Sequence, residues 1–262
     1  MTTTEWGIGV PGALGPEVIG AFAALAERSG YRSFWFNCVA PDADPAALLD
    51  AALASTESIG IGVGVIPLDG YPPATLATRL HGGRADDSRV VLGVGSGAGR
   101  RGALNRVSDG IVRLRDAMPR ARIAVGAKGP RMVALAAEVA DALLISMLTP
   151  DEATVVTSHL YAAGGRAVSM YAYHRVALDP GARDRVHNEM VSHGVWPAGA
   201  GTPTEHDLLG TVLPSPSDTR SLIDADLAGY PDDWLPVLRP LPSQPNDSEE
   251  WRDLFVLLAP GG

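Results

Sequence analysis

A closed (β/α)8 barrel, the TIM-barrel architecture of the α/β class, is the fold this sequence predicts, on three observations. Short β-branched runs alternate with longer Ala/Leu-rich stretches, the pattern of βα units around a parallel sheet. Runs such as VVLGVG and ALLISML are apolar on both faces, as strands covered by helices must be. Eight candidate strands occur in this order, the number that closes such a barrel. An open doubly wound sheet is the competing architecture. The 262 residues suit one domain, 1–262, without a linker or low-complexity tract.

The first strand is expected over 6–10, followed by a helix over 15–28 with Ile19, Phe22, Ala23, Leu25 and Ala26 on one side. SFWFN (33–37) is the second, and Asp42-Ala43-Asp44-Pro45 supplies a cap and a first-turn proline for a helix over 44–55. IGIGVGVI (59–66) is the third and ends at Pro67; its helix starts near Pro72-Pro73. The fourth, 89–95, runs into Ser96-Gly97-Ala98-Gly99 and a helix over 105–118. The fifth, 122–126, has a helix opening at Gly129-Pro130. The sixth, 142–146, precedes Thr149-Pro150-Asp151-Glu152, a threonine cap with acids in the first turn. The seventh is expected over 167–174 and the eighth over 234–239, with helices near 181–192, 217–227 and 249–258. Segments 194–210 and 240–247 read as loops.

Composition narrows the function classes. The chain is 46% hydrophobic and 19% charged, with net charge −9, a globular composition without the basic face that binding to nucleic acid needs. Cys38, the single cysteine, excludes an intramolecular disulfide and a Cys-based zinc cluster. No His/carboxylate set has metal-ligand spacing, so no metal is expected. The start of the chain shows no signal peptide and no run long enough to span a bilayer. A cytoplasmic protein without membrane partners is the expectation.

In a barrel, function lies where strands end. There Gly126-Ala127-Lys128-Gly129-Pro130-Arg131 takes a strand through a glycine-rich turn into a helix start, with two cations close by. That arrangement suits an anion, or simply a tight turn that needs glycine. Neither GxGxxG nor a P-loop occurs. Ser96-Gly97-Ala98-Gly99-Arg100-Arg101 is a second small-residue loop with cations, and two such loops at one rim favour a phosphorylated ligand. Three glycines in Gly60-Ile61-Gly62-Val63-Gly64-Val65 fit either a bulge or flat ligand, or a need for space inside the barrel. His174, at the expected end of the seventh strand, is the candidate proton donor or ligand contact. His81, His159, His187 and His193 fall on helices. No GxSxG elbow exists, and Cys38 reads as a small buried hydrophobe.

The order of SFWFN, IGIGVGVIPLDGYPPATLA, RVVLGVGSG, IAVGAKGPRMVALAAEVADALL and ISMLTPDEA resembles the luciferase-like monooxygenase superfamily of flavin- and F420-dependent barrel oxidoreductases. The resemblance spans roughly 6–175, with a weaker echo at 210–239. It implies a homodimeric, bacterial luciferase-like barrel holding F420, or alternatively FMN, at its C-terminal rim. The ring would lie against Gly64 and Val65, where F420-using relatives carry a non-proline cis peptide. Ser96 and Gly97 are expected to contact the cofactor, and Gly126, Ala127, Lys128, Gly129 and Arg131 to hold its phosphate. Two departures stand out. The long excursion between the fourth helix and fifth strand is missing, so the lid is shortened, and Asn37-Cys38 replaces an acid-His pair after strand two.

The expected function is hydride transfer between F420 and a small organic substrate, with Asn37 and His174 as candidate catalytic residues. An FMN-dependent monooxygenase is the near alternative, and a non-catalytic flavin-binding protein the alternative of a different class. The F420 choice rests on its polyglutamate tail, for which Arg100, Arg101, Lys128 and Arg131 could provide a local positive field on an acidic protein.

Overall fold

The computed structural model describes residues 5–38, 43–99, 101–197, 209–213 and 219–260. Arg100, Asp42 and most of the expected loop over 194–210 lie outside these residues. Eight parallel strands close a barrel: β1 (Gly7–Val10), β2 (Ser33–Phe36), β3 (Gly60–Pro67), β4 (Val90–Gly95), β5 (Arg122–Gly126), β6 (Ala142–Ser146), β7 (Ser169–Leu178) and β9 (Trp234–Pro240). The ring closes through β6–β7, β7–β9 and β9–β1. A three-residue strand, β8 (Thr211–Leu213), stands outside the ring and pairs only with the end of β7. The helices are α1 (Gly15–Arg28), α2 (Pro45–Ala54), α3 (Pro73–Leu80), α4 (Ala103–Ala117), α5 (Pro130–Val139), α6 (Pro150–Ala162), α7 (Ala182–Ser192), α8 (Thr219–Leu227) and α9 (Ser248–Leu257).

Local chemistry accounts for the helix starts. The Asp44 side chain accepts the Ala46 N–H at 3.1 Å, with Pro45 opening α2. Thr149 and Glu152 form a reciprocal capping box on α6, again with proline first. Strand parity divides the interior in two. Phe34, Phe36, Ile61, Val63, Leu92, Ile123, Val125, Leu143 and Ile145 join the large core between sheet and helices. Trp35, Val91, Ala124, Ala142, Leu144, Tyr171 and Val237 fill the barrel itself. Burying one large aromatic such as Trp35 is worth on the order of 3–5 kcal/mol before entropy. α9 seals the join: Trp6 donates to Leu258 O at 2.9 Å, Tyr31 to Phe255 O at 2.8 Å, and Phe255 stacks on Phe22 of α1.

One expectation needs correction. β7 does not end at 174 but continues to Leu178, five residues above the point where β6 stops pairing at Tyr173. Its extension carries β8 and α7, and Met147, Ala177, Ala182, Val186 and Met190 form a separate apolar cluster there. The shortened lid is present as read, since only residues 118–121 separate α4 from β5. Part of the rim is covered instead by the β7 extension and α7.

Candidate functional site

The C-terminal mouth of the barrel is built from the uppermost inward-facing residues. β3 changes register against β4 between Val63 and Ile66, and the Gly64–Val65 peptide is cis. The bulge turns Val65 inward, where it is half-buried beside Gly95 and Gly126. A Cβ on Gly126 would come within 2.7 Å of Val65 Cγ1, and one on Gly95 within 3.2 Å of Cγ2. Both positions are glycine because Val65 packs directly against their backbone. Tyr173 faces them: a Cβ on Gly64 would collide with its hydroxyl. The other strand glycine behaves differently, because a Cβ on Gly62 would strike the Trp35 indole. For Gly62 the need is space inside the barrel.

The β5–α5 loop is partly committed to the fold. Ala127 N–H donates to Leu144 O at 3.2 Å, and Met132 and Val133 N–H both turn back to Gly129 O at 3.1 Å. The Lys128 ammonium donates to Met147 O at 3.0 Å, and burial, joined by the Arg175 charge, pulls its pKa down. Arg131 is exposed in the first turn of α5. The Ser96–Gly99 loop already holds an anion of its own. Asp69 accepts Gly99 N–H at 3.1 Å and packs against Gly97, which has φ +73°. Arg106 ties down the loop carbonyls of Ser96 and Gly99 at 3.2 and 2.5 Å. The Asp69 carboxyl is held below its ordinary pKa, chiefly by the Gly99 N–H.

Asn37 lies at the rim, half-buried, with its Oδ1 accepting Gly12 N–H at 3.2 Å. Cys38 points away into the core, where burial pushes the thiol up to about 12. His174 is not brought to the mouth. It lies inside β7 rather than at its end, on the outward parity, buried on the α8 side. There Nε2 is 2.8 Å from Thr211 Oγ1, which donates to Asp226 Oδ2 at 2.5 Å. Because the single hydroxyl proton goes to the carboxylate, the imidazole Nε2–H is the donor to threonine. Burial, with a contribution from Arg175, lowers the His174 pKa to about 4, so the 3.9 Å approach of Asp226 is no ion pair at neutral pH. A cavity of about 610 Å³ adjoins this side of the wall, lined by His174, Leu227, Tyr230 and Trp234 among others.

Tyr173 and Arg239 at the mouth escaped sequence reasoning, and Arg175, which stands beside His174 at the expected strand end, was given no role there. Tyr173, Arg175 and Arg239 take the top inward positions of β7 and β9. Arg175 is 5% exposed and donates to Ser146 Oγ at 2.8 Å and Glu189 Oε2 at 3.2 Å. Arg239 donates to Gly9 O at 3.3 Å. The signal was the alternation of Tyr171, Tyr173 and Arg175 with Met170, Ala172 and His174. Among the described residues, no group of three or more His, Cys, Asp or Glu could hold a metal ion, and no helix is long and apolar enough to cross a membrane.

The fold is a closed (β/α)8 barrel. Residues 2–102 match the family of luciferase-like monooxygenases, which bears out the resemblance read from the sequence. No curated protein matches the chain. Among solved structures, it is similar to the F420-dependent tetrahydromethanopterin reductase of Methanopyrus kandleri, with TM-score 0.65, 15% identity and 98% of each chain covered. It is also similar to the FMN-bound oxygenating constituent of 3,6-diketocamphane monooxygenase from the CAM plasmid of Pseudomonas putida. That match has TM-score 0.70 and 15% identity, covering 98% of this chain and 96% of the other. An F420-dependent secondary alcohol dehydrogenase bound to an F420–acetone adduct gives TM-score 0.68 at 13% identity, with 96% and 99% covered.

Proposed function

We propose that this chain is an oxidoreductase that takes a flavin-type cofactor in the barrel mouth, that the cofactor is F420, and that the substrate is a small organic molecule. The observation that carries this reading is the bulge of β3, which turns Val65 into the mouth and packs it against Gly95 and Gly126. Gly64 and Val65 would back the ring, and Lys128, Gly129 and Arg131 would face the phosphate. Ser96 and Gly97 are held beside the ring position by Asp69 and Arg106. When bound, F420 supplies the hydride chemistry, which is why so few acids and bases are needed from the chain.

The chain orients and donates. With Oδ1 committed to Gly12, Asn37 keeps its NH2 group for a substrate oxygen. The Tyr173 hydroxyl stays protonated because burial raises its pKa, leaving a neutral donor beside Gly64. His174, neutral and facing α8, positions β8 and α8 instead of serving the mouth. F420 is preferred to FMN because Arg101 and Arg131 continue the cationic surface outward, where a polyglutamate tail would run.

Equilibrium titration with F420, FMN and FAD tests this reading. F420 affinity should rise with tail length and fall with salt, and Gly126→Val should weaken it. FMN binding without F420 binding assigns the monooxygenase alternative, and binding of none of the three overturns the proposal. Turnover of bound reduced cofactor with an acceptor separates an enzyme from a non-catalytic flavin-binding protein.

A further inference from the structure

The inward faces of β7 and β9 change character at the mouth. Lower down they carry Tyr171, Leu235 and Val237, which pack inside the barrel. At the top they carry Arg175 and Arg239. A mouth that needed only filling would continue the apolar series, because a guanidinium deprived of water must be matched by acceptors or anions.

Among the described residues that matching is incomplete. Arg175 uses two nitrogens on Ser146 and Glu189, while its Nε is buried without a partner. Arg239 makes one hydrogen bond, to Gly9 O. Burial lowers the pKa of both arginines, and the Arg175 charge adds to the effect on Arg239. The Lys128 ammonium, on Met147 O, is the third cation of the cluster. Against these stands Glu189 of α7, which Arg175 already engages and whose other near neighbour is His193 at 3.8 Å. Glu152 acts on Lys128 but is held in the α6 capping box. Among the described residues, three cations therefore face one closely paired carboxylate.

We infer that Arg175 and Arg239, with Ser146, form an oxyanion subsite that takes a phosphate or carboxylate group into the barrel mouth. Forked guanidinium donors suit such planar or tetrahedral oxyanions better than an ammonium does. The inference rests on reading the mouth as the ligand-binding end. The oxyanion has two possible sources, the cofactor phosphate or an anionic group on the substrate, and each leaves its own signature in competition.

The probe is inorganic phosphate at constant ionic strength, with succinate as the carboxylate counterpart, titrated by calorimetry into the purified protein. Binding should be saturable, and Arg239→Met and Arg175→Met should each weaken it about ten- to hundredfold, the loss expected of a charge-assisted hydrogen bond. Arg252→Ala, on the exposed face of α9, should leave it unchanged. Arg239→Lys keeps the charge and removes the fork, so it serves if a methionine variant fails to fold, and it should still bind phosphate more weakly than the parent. Competition of phosphate with F420 or FMN, together with an Arg239→Met penalty on FMN but not on riboflavin, assigns the cofactor phosphate. Simultaneous binding of phosphate and cofactor assigns an anionic substrate. Phosphate binding that depends on the arginines in a protein binding neither F420 nor FMN keeps the subsite and removes the cofactor reading. Absence of phosphate and succinate binding, or binding indifferent to both arginines, overturns the inference.

Discussion

His174 should impose a measurable pH dependence on stability. Its imidazole is buried against Thr211 and α8, and burial lowers its pKa from the ordinary 6.5 to about 4. The unfolded chain therefore takes up a proton near pH 6.5 that the folded protein refuses until about pH 4. Stability from this group is fully present above pH 6.5 and is lost as pH falls toward 4. At about 1.36 kcal/mol per pKa unit, the loss by about pH 4.5 is roughly 2–3 kcal/mol. Asp226 opposes it, because its raised pKa makes the folded form hold a proton more firmly on acidification. Glu27 acts later: its carboxylate accepts N–H groups from Glu57, Ser58 and Ile59, and its pKa is held near 2, so its contribution fades only below the ordinary 4.5. His174→Gln keeps a donor toward Thr211 and removes the titration. Urea unfolding followed by tryptophan fluorescence at pH 7 and about pH 4.5 should show the parent losing about 2–3 kcal/mol more than the variant. Parallel pH curves for the two proteins would refute the buried, neutral imidazole.

Gly62→Ala should destabilise the protein by about 1–3 kcal/mol, the cost of overpacking, because the new methyl meets the fully buried Trp35 indole. Denaturant midpoints check this, and an unchanged midpoint would show that the indole can move aside. Thr149→Ala should cost about 1 kcal/mol by removing the α6 capping box, with Thr154→Ala on the exposed face of the same helix as a milder control. A homodimer closed by twofold symmetry is proposed for the protein in solution, and sedimentation as a monomer at micromolar concentration would remove that proposal.

Most of the barrel was legible because each strand is a short apolar run whose neighbours are helices with their own caps. Asp44-Pro45 and Thr149-Pro150 mark their helix starts through contacts within three residues, the range that sequence reasoning reaches. The Ser96–Gly99 loop shows where it stops. Its anion is Asp69, about thirty residues earlier, and nothing local in either segment announces the pairing. Parity was the subtler loss. His174 and Arg175 are adjacent, and a strand sends consecutive side chains to opposite faces, so one residue decides between the outer wall and the mouth. Ending the strand at 174 made the histidine the conspicuous chemical group. Continuing it to Leu178 turns the same residues into an alternation with Tyr171, Tyr173 and Arg175 inside. The continuation is set first by β9, which pairs with Arg175 and Val176, and then by β8, which pairs with Val176 to Leu178 from more than thirty residues downstream. A three-residue strand carries almost no pattern of its own. Arg175 thus takes its place at the mouth from a ladder with a strand about sixty residues away, which nothing local around it announces, although both arginines stand in plain view in the sequence.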